Sequence, residues 1–192
     1  NKNFENKKYK KILFAYSSYF GQVNSKDFIK LDTQLNQVMQ TFNMIKNVKI
    51  IVKIHPNKNH PHFLNILKKY NKNLWEVSDQ NLISLSNECD VVVSNFQSAA
   101  SIFGPLMAKP SIELWKGVDS IYNTNKSWNT RLGITTVVST KNDLKKKLNK
   151  AINRKNDKLW LNQRKKFVNI FSLNRNASKK ISDFVKKQCL KY

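Results

Sequence analysis

The chain has 192 residues, 40% of them hydrophobic and 11% aromatic, which is enough to form one folded domain and excludes wholesale disorder. It carries 35 Lys and Arg against 12 Asp and Glu, a formal net charge of +23, which predicts attraction to nucleic acid, an anionic lipid surface or a phosphorylated ligand. With only four Gly, four Pro and two Cys, the composition excludes collagen-like chains, low-complexity chains and disulfide scaffolds.

Short apolar runs alternate along the chain with segments whose apolar residues recur at helical spacing. The run 48–54 ends at His55-Pro56, because proline disfavours helix at the preceding residue and cannot donate to a sheet. This alternation predicts an α/β domain with a Rossmann-like parallel sheet of about six strands, flanking helices and right-handed crossovers. The predicted strands are 12–16, 48–54, 74–77, 90–94, 111–114 and 134–138. The predicted helices are 31–45, 61–70, 81–87, 98–107 with an interruption at Gly104-Pro105, 144–152 and 181–185.

Residues 1–10 are polar and basic, and we interpret them as a linker or N-terminal extension before one domain at 11–192. They have no apolar core like that of a signal peptide, and no apolar run in the chain reaches the roughly 18 residues of a membrane span. The chain begins without Met, which raises the hypothesis that it is a piece of a longer protein. Residues 141–192 hold 17 Lys and Arg against 3 Asp and Glu, so the predicted C-terminal helices carry most of the excess charge.

Two polar segments follow predicted strands at the sheet edge where ligands of open α/β sheets collect. The first is 53–57 (KIHPN), and the second is 94–101 (SNFQSAAS), where a strand turns into a helix. Backbone N–H groups at a helix start attract anions, and His55 supplies a further donor, so the two segments together predict a phosphate site. The structural alternatives are that Ser98 only caps the helix and that His55 only packs.

Several other kinds of site are not supported by the sequence. His55, His60 and His62 invite a zinc interpretation, but no Cys or carboxylate completes ligand spacing nearby, so no metal is predicted. There is no GxGxxG, no Walker A motif, no GxSxG elbow and no Asp-x-Asp pair. Cys89 and Cys189 are predicted to be idle thiols of a reducing compartment.

Five segments resemble, in order and spacing, the C-terminal nucleotide-binding domain of GT-B glycosyltransferases. They are 53–56 (KIHP), 90–98 (DVVVSNFQS), 109–112 (KPSI), 133–144 (GITTVVSTKNDL) and 176–181 (NASKKI). The most similar members are the bacterial capsule and lipopolysaccharide sialyl- and Kdo-transferases and the CDP-glycerol glycerophosphotransferases. The resemblance spans roughly residues 11–187 and implies one half of a GT-B architecture.

The resemblance implies roles for individual residues. His55 is the catalytic candidate, which would contact the donor phosphate and stabilise the leaving group. Gln97 stands where the family usually has a second Ser or Thr, and the acidic ribose ligand expected shortly after Ser98 is absent from 101–103. The candidate substrate-binding residues are Lys53, Asn95, Gln97, Ser98, Ala99 and Ser101.

The function implied is transfer of a sugar or polyol phosphate from a CMP-, CDP- or UDP-linked donor, without metal or other cofactor, in bacterial surface polysaccharide synthesis. The acceptor would be a glycan or a lipid-linked glycan, held by an N-terminal acceptor domain outside this chain. A cytoplasmic location is expected, with the basic helices resting on the anionic inner face of the membrane.

Two other functions stay open. A basic nucleic-acid-binding module is suggested by the charge of 145–166 together with Trp160 and Phe167, which could stack on bases. Against it, the apolar stripe at 144–152 makes the neighbouring lysines an ordinary solvated helix face, so the sequence favours a nucleotide-activated donor. A nucleotide-sugar epimerase of the same architecture would need catalytic carboxylates that the sequence does not place.

Overall fold

The computed structural model describes residues 9–16, 25–55, 61–96, 98–115, 127–153 and 157–171, with only the backbone described at 25–31, 61 and 62. Its strands are β1 (Lys10–Tyr16), β2 (Val48–Ile54), β3 (Trp75–Val77), β4 (Val91–Ser94), β5 (Ser111–Glu113) and β6 (Thr136–Val137). Its helices are α1 (Ser25–Asn43), α2 (Pro61–Leu67), α3 (Leu82–Glu88), α4 (Phe103–Leu106), α5 (Trp128–Arg131), α6 (Lys141–Asn153) and α7 (Lys158–Phe171).

The six strands form one all-parallel sheet in the order β3-β2-β1-β4-β5-β6, which confirms the predicted α/β Rossmann-like fold. The chain adds strands on one side of β1 and then returns to add β4 on its other side. The strand order therefore reverses between β1 and β4, and a crevice opens there at the carboxyl ends of the strands. This is the place where both predicted polar segments lead.

Both faces of the sheet are covered, as parallel sheets require, and this explains why the central strands are apolar at successive positions. On one face, Phe14 packs with α1, α2 and α6 in the larger core, and on the other face Leu13 packs against α3. Cys89 belongs to the smaller core, on the same face as Leu13, and is a buried free thiol. Burial raises the pKa of Cys89 to about 12. Cys89 is therefore the idle thiol predicted, whereas Cys189 lies outside the described residues.

The segment after β4 differs from its prediction. The predicted interruption at Gly104-Pro105 is wrong, because both residues lie inside α4, which follows a 3-10 turn at Ala99–Ile102. Pro105 is tolerated there since its missing N–H belongs to the first helical turn, where no intrahelical acceptor exists. Gly104 allows close packing, as a Cβ at this position would come within 2.7 Å of the Ser111 Cβ atom.

Helix α7 was not predicted as a helix, although Trp160, Gln163 and Phe167 recur at helical spacing and are all buried. Trp160 is 5% exposed and Phe167 is 3% exposed, so neither ring is available to stack on a nucleic-acid base. This removes the aromatic part of the argument for a nucleic-acid-binding module. The predicted helix at 181–185 lies outside the described residues.

The remaining boundaries shift by a few residues. β1 begins at Lys10, inside the segment predicted as a linker, and β6 shortens to two residues because only two of its residues pair with β5. Within the described part of the chain, no helix is long and apolar enough to cross a membrane.

Candidate functional site

A small cleft of about 60 Å³ lies at the carboxyl ends of β1 and β2, beside the 3-10 turn that follows β4. Its position matches the crevice expected at the reversal of strand order. The residues that line it are Ala15, Tyr16, Lys53, Ile54, His55, Leu82, Ser98 and Ala100. The structure therefore brings the two predicted polar segments to one cleft.

The pairing of β1 with β2 sets the positions of Lys53 and His55. Ala15 is in register with Lys53, so the small side chain and the ammonium stem share one face of the sheet. The Lys53 ammonium donates to the backbone carbonyl of Asp79 at 3.0 Å, which holds it at the carboxyl end of the sheet. The backbone N–H of His55 donates to the backbone carbonyl of Tyr16 at 3.1 Å, which continues the pairing with β1 beyond the end of β2.

Ser98 enters the cleft from the 3-10 turn. Its hydroxyl accepts the Ala100 N–H at 3.2 Å and so caps the turn, which is the structural role considered for it from the sequence. A hydroxyl has one donor and two acceptor sites, so capping leaves its proton free for a ligand. The two roles are therefore compatible at the same side chain.

The other candidate residues occupy different places. Asn95 is buried, and its backbone carbonyl accepts a hydrogen bond from the backbone N–H of Ser98 at 3.2 Å. Ser101 is fully buried, and its hydroxyl donates to the Ser98 carbonyl at 2.9 Å. Ala99 is exposed but does not line the cleft, and Gln97 lies outside the described residues. Asn95 therefore precedes the turn and Ser101 lies within it, and both bond to the backbone of Ser98 without lining the cleft.

Three cleft residues, Ala15, Tyr16 and Leu82, lie outside both predicted polar segments. Two others, Ile54 and Ala100, lie inside those segments but were not selected as candidates. One sequence feature could have indicated Ala15 as a cleft residue. It is a small residue near the end of an otherwise bulky strand, at the sheet edge where ligands collect. Leu82 begins α3 and arrives through the crossover from β3, which no local pattern reveals.

No group of three or more His, Cys, Asp or Glu suited to a metal ion occurs among the described residues. His60 lies outside them, and the side chain of His62 is not described. Tyr16, which lines the cleft, stacks on Phe63 with ring centroids 4.1 Å apart.

Ser94, the last residue of β4, is fully buried, and its hydroxyl has no hydrogen-bond partner among the described residues. A buried unpaired hydroxyl costs about 1–3 kcal/mol. We therefore expect Ser94→Ala to raise the free energy of unfolding by about 1 kcal/mol, measured by urea denaturation. The matched control is Ser111→Ala, where the lost hydroxyl donates to the Ser101 carbonyl at 2.6 Å, and a fall of similar size is expected. A loss of stability in Ser94→Ala would contradict the prediction.

No protein family and no curated protein sequence matches this chain. Solved structures do match it. The S. aureus MnaA-UDP co-structure aligns with 94% of this chain and 46% of that chain, with a TM-score of 0.61 and 14% identity. The spinosyn rhamnosyltransferase SpnG aligns with 86% of this chain and 42% of its own chain, with a TM-score of 0.58 and 11% identity. The UDP-GlcNAc 2-epimerase from Neisseria meningitidis bound to UDP-GlcNAc aligns with 93% of this chain and 45% of its own chain, with a TM-score of 0.56 and 13% identity.

These likenesses show the fold: the chain has the Rossmann-like architecture of one half of GT-B glycosyltransferases and UDP-GlcNAc 2-epimerases. The predicted GT-B resemblance is confirmed at this level, and a closer likeness to sialyl-, Kdo- or glycerophosphotransferases stays a prediction. The chain spans less than half the length of the structures it matches.

Proposed function

We propose that this chain is the donor-binding domain of a glycosyltransferase that uses a nucleotide-activated sugar or polyol phosphate. The observation that carries the proposal is the meeting of Lys53, His55 and Ser98 in one cleft at the reversal of strand order. Each of these side chains can donate a hydrogen bond to a phosphate oxygen. Structures with the same fold include a complex with UDP and one with thymidine diphosphate, which supports a nucleoside diphosphate as the ligand.

The size of the cleft limits which part of the donor it holds. Pockets that enclose a whole organic ligand have volumes of roughly 300–1,000 Å³. A cleft of about 60 Å³ suits a phosphate group, so the base, ribose and sugar would contact other surfaces. Since the chain spans under half the length of its structural neighbours, we expect a second domain to bind the acceptor, which would be a glycan or a lipid-linked glycan.

With a sugar donor, an acceptor hydroxyl attacks the sugar carbon that bears the phosphate, and the bond from that carbon to the phosphate oxygen breaks. With a polyol phosphate donor, the hydroxyl attacks the phosphorus that bears the polyol, and the bond from that phosphorus to the oxygen of the nucleotide phosphate breaks. The acceptor hydroxyl passes its proton to a base that we expect the acceptor domain to supply, and the nucleotide leaves with a growing negative charge on its phosphate. Lys53, His55 and Ser98 would stabilise this charge, as fixed hydrogen-bond donors do when water is excluded. This role for the side chains requires no metal.

The cellular setting is also a proposal. Helix α6 buries Leu144 and Leu148 and presents lysines to solvent, of which Lys147 pairs with Asp143 at 3.0 Å. A basic surface of this kind suits the anionic inner face of a bacterial membrane, where surface polysaccharide precursors carry their lipid anchors. We therefore expect a cytoplasmic protein that binds this surface peripherally.

Epimerisation of a nucleotide sugar is the second candidate, favoured by the likeness to two UDP-GlcNAc 2-epimerases. Among the described residues that line the cleft there is no carboxylate to move a proton. Incubation with UDP-GlcNAc followed by NMR of the products distinguishes the candidates, because an epimerase gives the 2-epimer without any acceptor.

Titration calorimetry with UDP, thymidine diphosphate, CDP and CMP tests the proposed site. We expect one of them to bind, and we expect Lys53→Met to weaken that binding about tenfold or more, since a charge-assisted hydrogen bond is lost. Lys49→Met is the matched control, because Lys49 lies on the same strand and the same sheet face, about 13 Å away toward the amino end. Absence of binding by all four nucleotides, or equal effects of the two variants, would refute the site.

A further inference from the structure

Glu113 is a fully buried carboxylate at the carboxyl end of β5. It lies in register with Ser94 of β4 on one side and Val137 of β6 on the other. Burying an ionised carboxylate is costly unless hydrogen bonds compensate for the lost water, so an apolar residue would serve the sheet better. Its presence at the carboxyl end of β5 therefore requires a specific explanation.

Two side chains of α5 donate to this carboxylate. The Asn129 amide donates to one Glu113 oxygen at 3.3 Å, and the Thr130 hydroxyl donates to the other at 3.4 Å. Thr130 is itself held by the cap of α5, because the Ser127 hydroxyl accepts the Thr130 N–H at 3.0 Å. The carboxylate thus ties the start of α5 to the end of β5.

Asn129 continues the connection to the turn at the cleft. The same amide group donates to the Ser101 hydroxyl at 2.6 Å and lies 3.4 Å from the Ser98 carbonyl oxygen. Ser98 and Ala100, which this turn carries, line the cleft. A continuous set of hydrogen bonds therefore runs from Glu113 through Asn129 to the cleft wall.

The chemistry of a carboxylate explains why this position holds Glu. Both Glu113 oxygens accept a hydrogen bond, one from the Asn129 NH₂ group and the other from the Thr130 hydroxyl, and this matches an Asn129 amide whose NH₂ group faces Glu113 and the turn. A glutamine at 113 could present either an oxygen or an NH₂ group, and the orientation of Asn129 would no longer be unique. Two accepting oxygens at position 113 therefore favour one orientation of the amide.

We propose that Glu113 is a positioning residue that acts through Asn129, fixing the 98–101 turn so that Ser98 faces the ligand phosphate. This inference rests on the proposed function for its effect on nucleotide binding. It also has a structural consequence that needs no ligand, which is the rigidity of the turn.

Amide hydrogen exchange of the ligand-free full chain tests the structural consequence. We expect Glu113→Gln and Asn129→Ala each to accelerate exchange in peptides covering 98–103 about tenfold, with no change in β2. Thr41→Val is the control, because it removes a buried hydroxyl on α1 that donates only to the Gln37 carbonyl at 2.8 Å. Asn129→Ala serves alone if Glu113→Gln does not fold, since Asn129 is only half-buried.

A double-mutant cycle on nucleotide affinity tests whether Glu113 acts through Asn129. Each single variant is expected to weaken binding about tenfold, and the double variant is expected to bind no more weakly than Asn129→Ala. Thr130→Ser, which keeps the hydroxyl, should bind better than Thr130→Val.

The outcomes separate the two proposals. If the wild type binds no nucleotide, the proposed function fails, and the exchange rates alone decide whether Glu113 positions the turn. If the wild type binds nucleotide but Glu113→Gln changes neither affinity nor exchange, the positioning role is refuted and the proposed function stands. Additive losses in the double variant would also refute action through Asn129.

Discussion

Ala15→Leu is expected to abolish nucleotide binding while the domain stays folded. Ala15 is 5% exposed, lines the cleft, and lies on the same sheet face as Lys53. The three additional carbon atoms of leucine would occupy most of a cleft of about 60 Å³. A phosphate could then no longer reach Lys53, His55 and Ser98 together. The measurement is calorimetric titration with the nucleotide that binds the wild type.

The control for this prediction is Ala151→Leu, which adds the same atoms to another buried alanine, on α6. Overpacking costs about 1–3 kcal/mol, so both variants are expected to lose some stability. Only Ala15→Leu should lose binding. Unchanged affinity in Ala15→Leu would mean that the ligand lies elsewhere, whereas equal loss of affinity in both variants would indicate general destabilisation.

The largest effect on stability is expected for Phe14→Ala. Phe14 is fully buried in the central strand and makes an edge-to-face contact with Phe42, with ring centroids 5.5 Å apart. Its ring also lies 6.3 Å from that of Phe63, so it joins β1 to α1 and α2. Removing a buried phenylalanine costs about 3–5 kcal/mol, a large share of the roughly 5–15 kcal/mol that stabilises a domain.

Urea denaturation followed by circular dichroism measures this loss. Tyr9→Ala is the control, since Tyr9 is also aromatic but 58% exposed, and its removal is expected to change stability by no more than about 0.5 kcal/mol. A loss in Phe14→Ala below about 1 kcal/mol would show that the core on this face collapses around the missing ring.

The net charge of +23 proved less informative about the site than a few residues at strand ends. In α6 and the residues after it, the described acidic side chains pair with lysines, Asp143 with Lys147 and Asp157 with Lys150, each at 3.0 Å. The apolar residues between the lysines are core. The charge therefore supports only the proposed location of the protein, while Lys53, His55 and Ser98 support the proposed ligand.

The sequence by itself determined the fold class and selected the segments that form the candidate site. Apolar runs such as 91–93 mark buried parallel strands because both faces of the sheet exclude water, and such a run is a local property of the chain. Proline after His55 marked a strand end in the same local way. Since ligands collect where parallel strands end, Lys53, His55 and Ser98 could be selected before any contact was known.

Only the tertiary structure decided which of the candidates meet. Asn95 and Ser101 have the same polar character as Ser98, yet both are buried and neither lines the cleft, because backbone conformation within a few residues decides which side chain faces it. Glu113 and Asn129 are 16 residues apart, and nothing local indicates that they bond. Such contacts depend on the register between β4 and β5 and on the crossover that returns α5 to the sheet, which are set by packing of the whole domain.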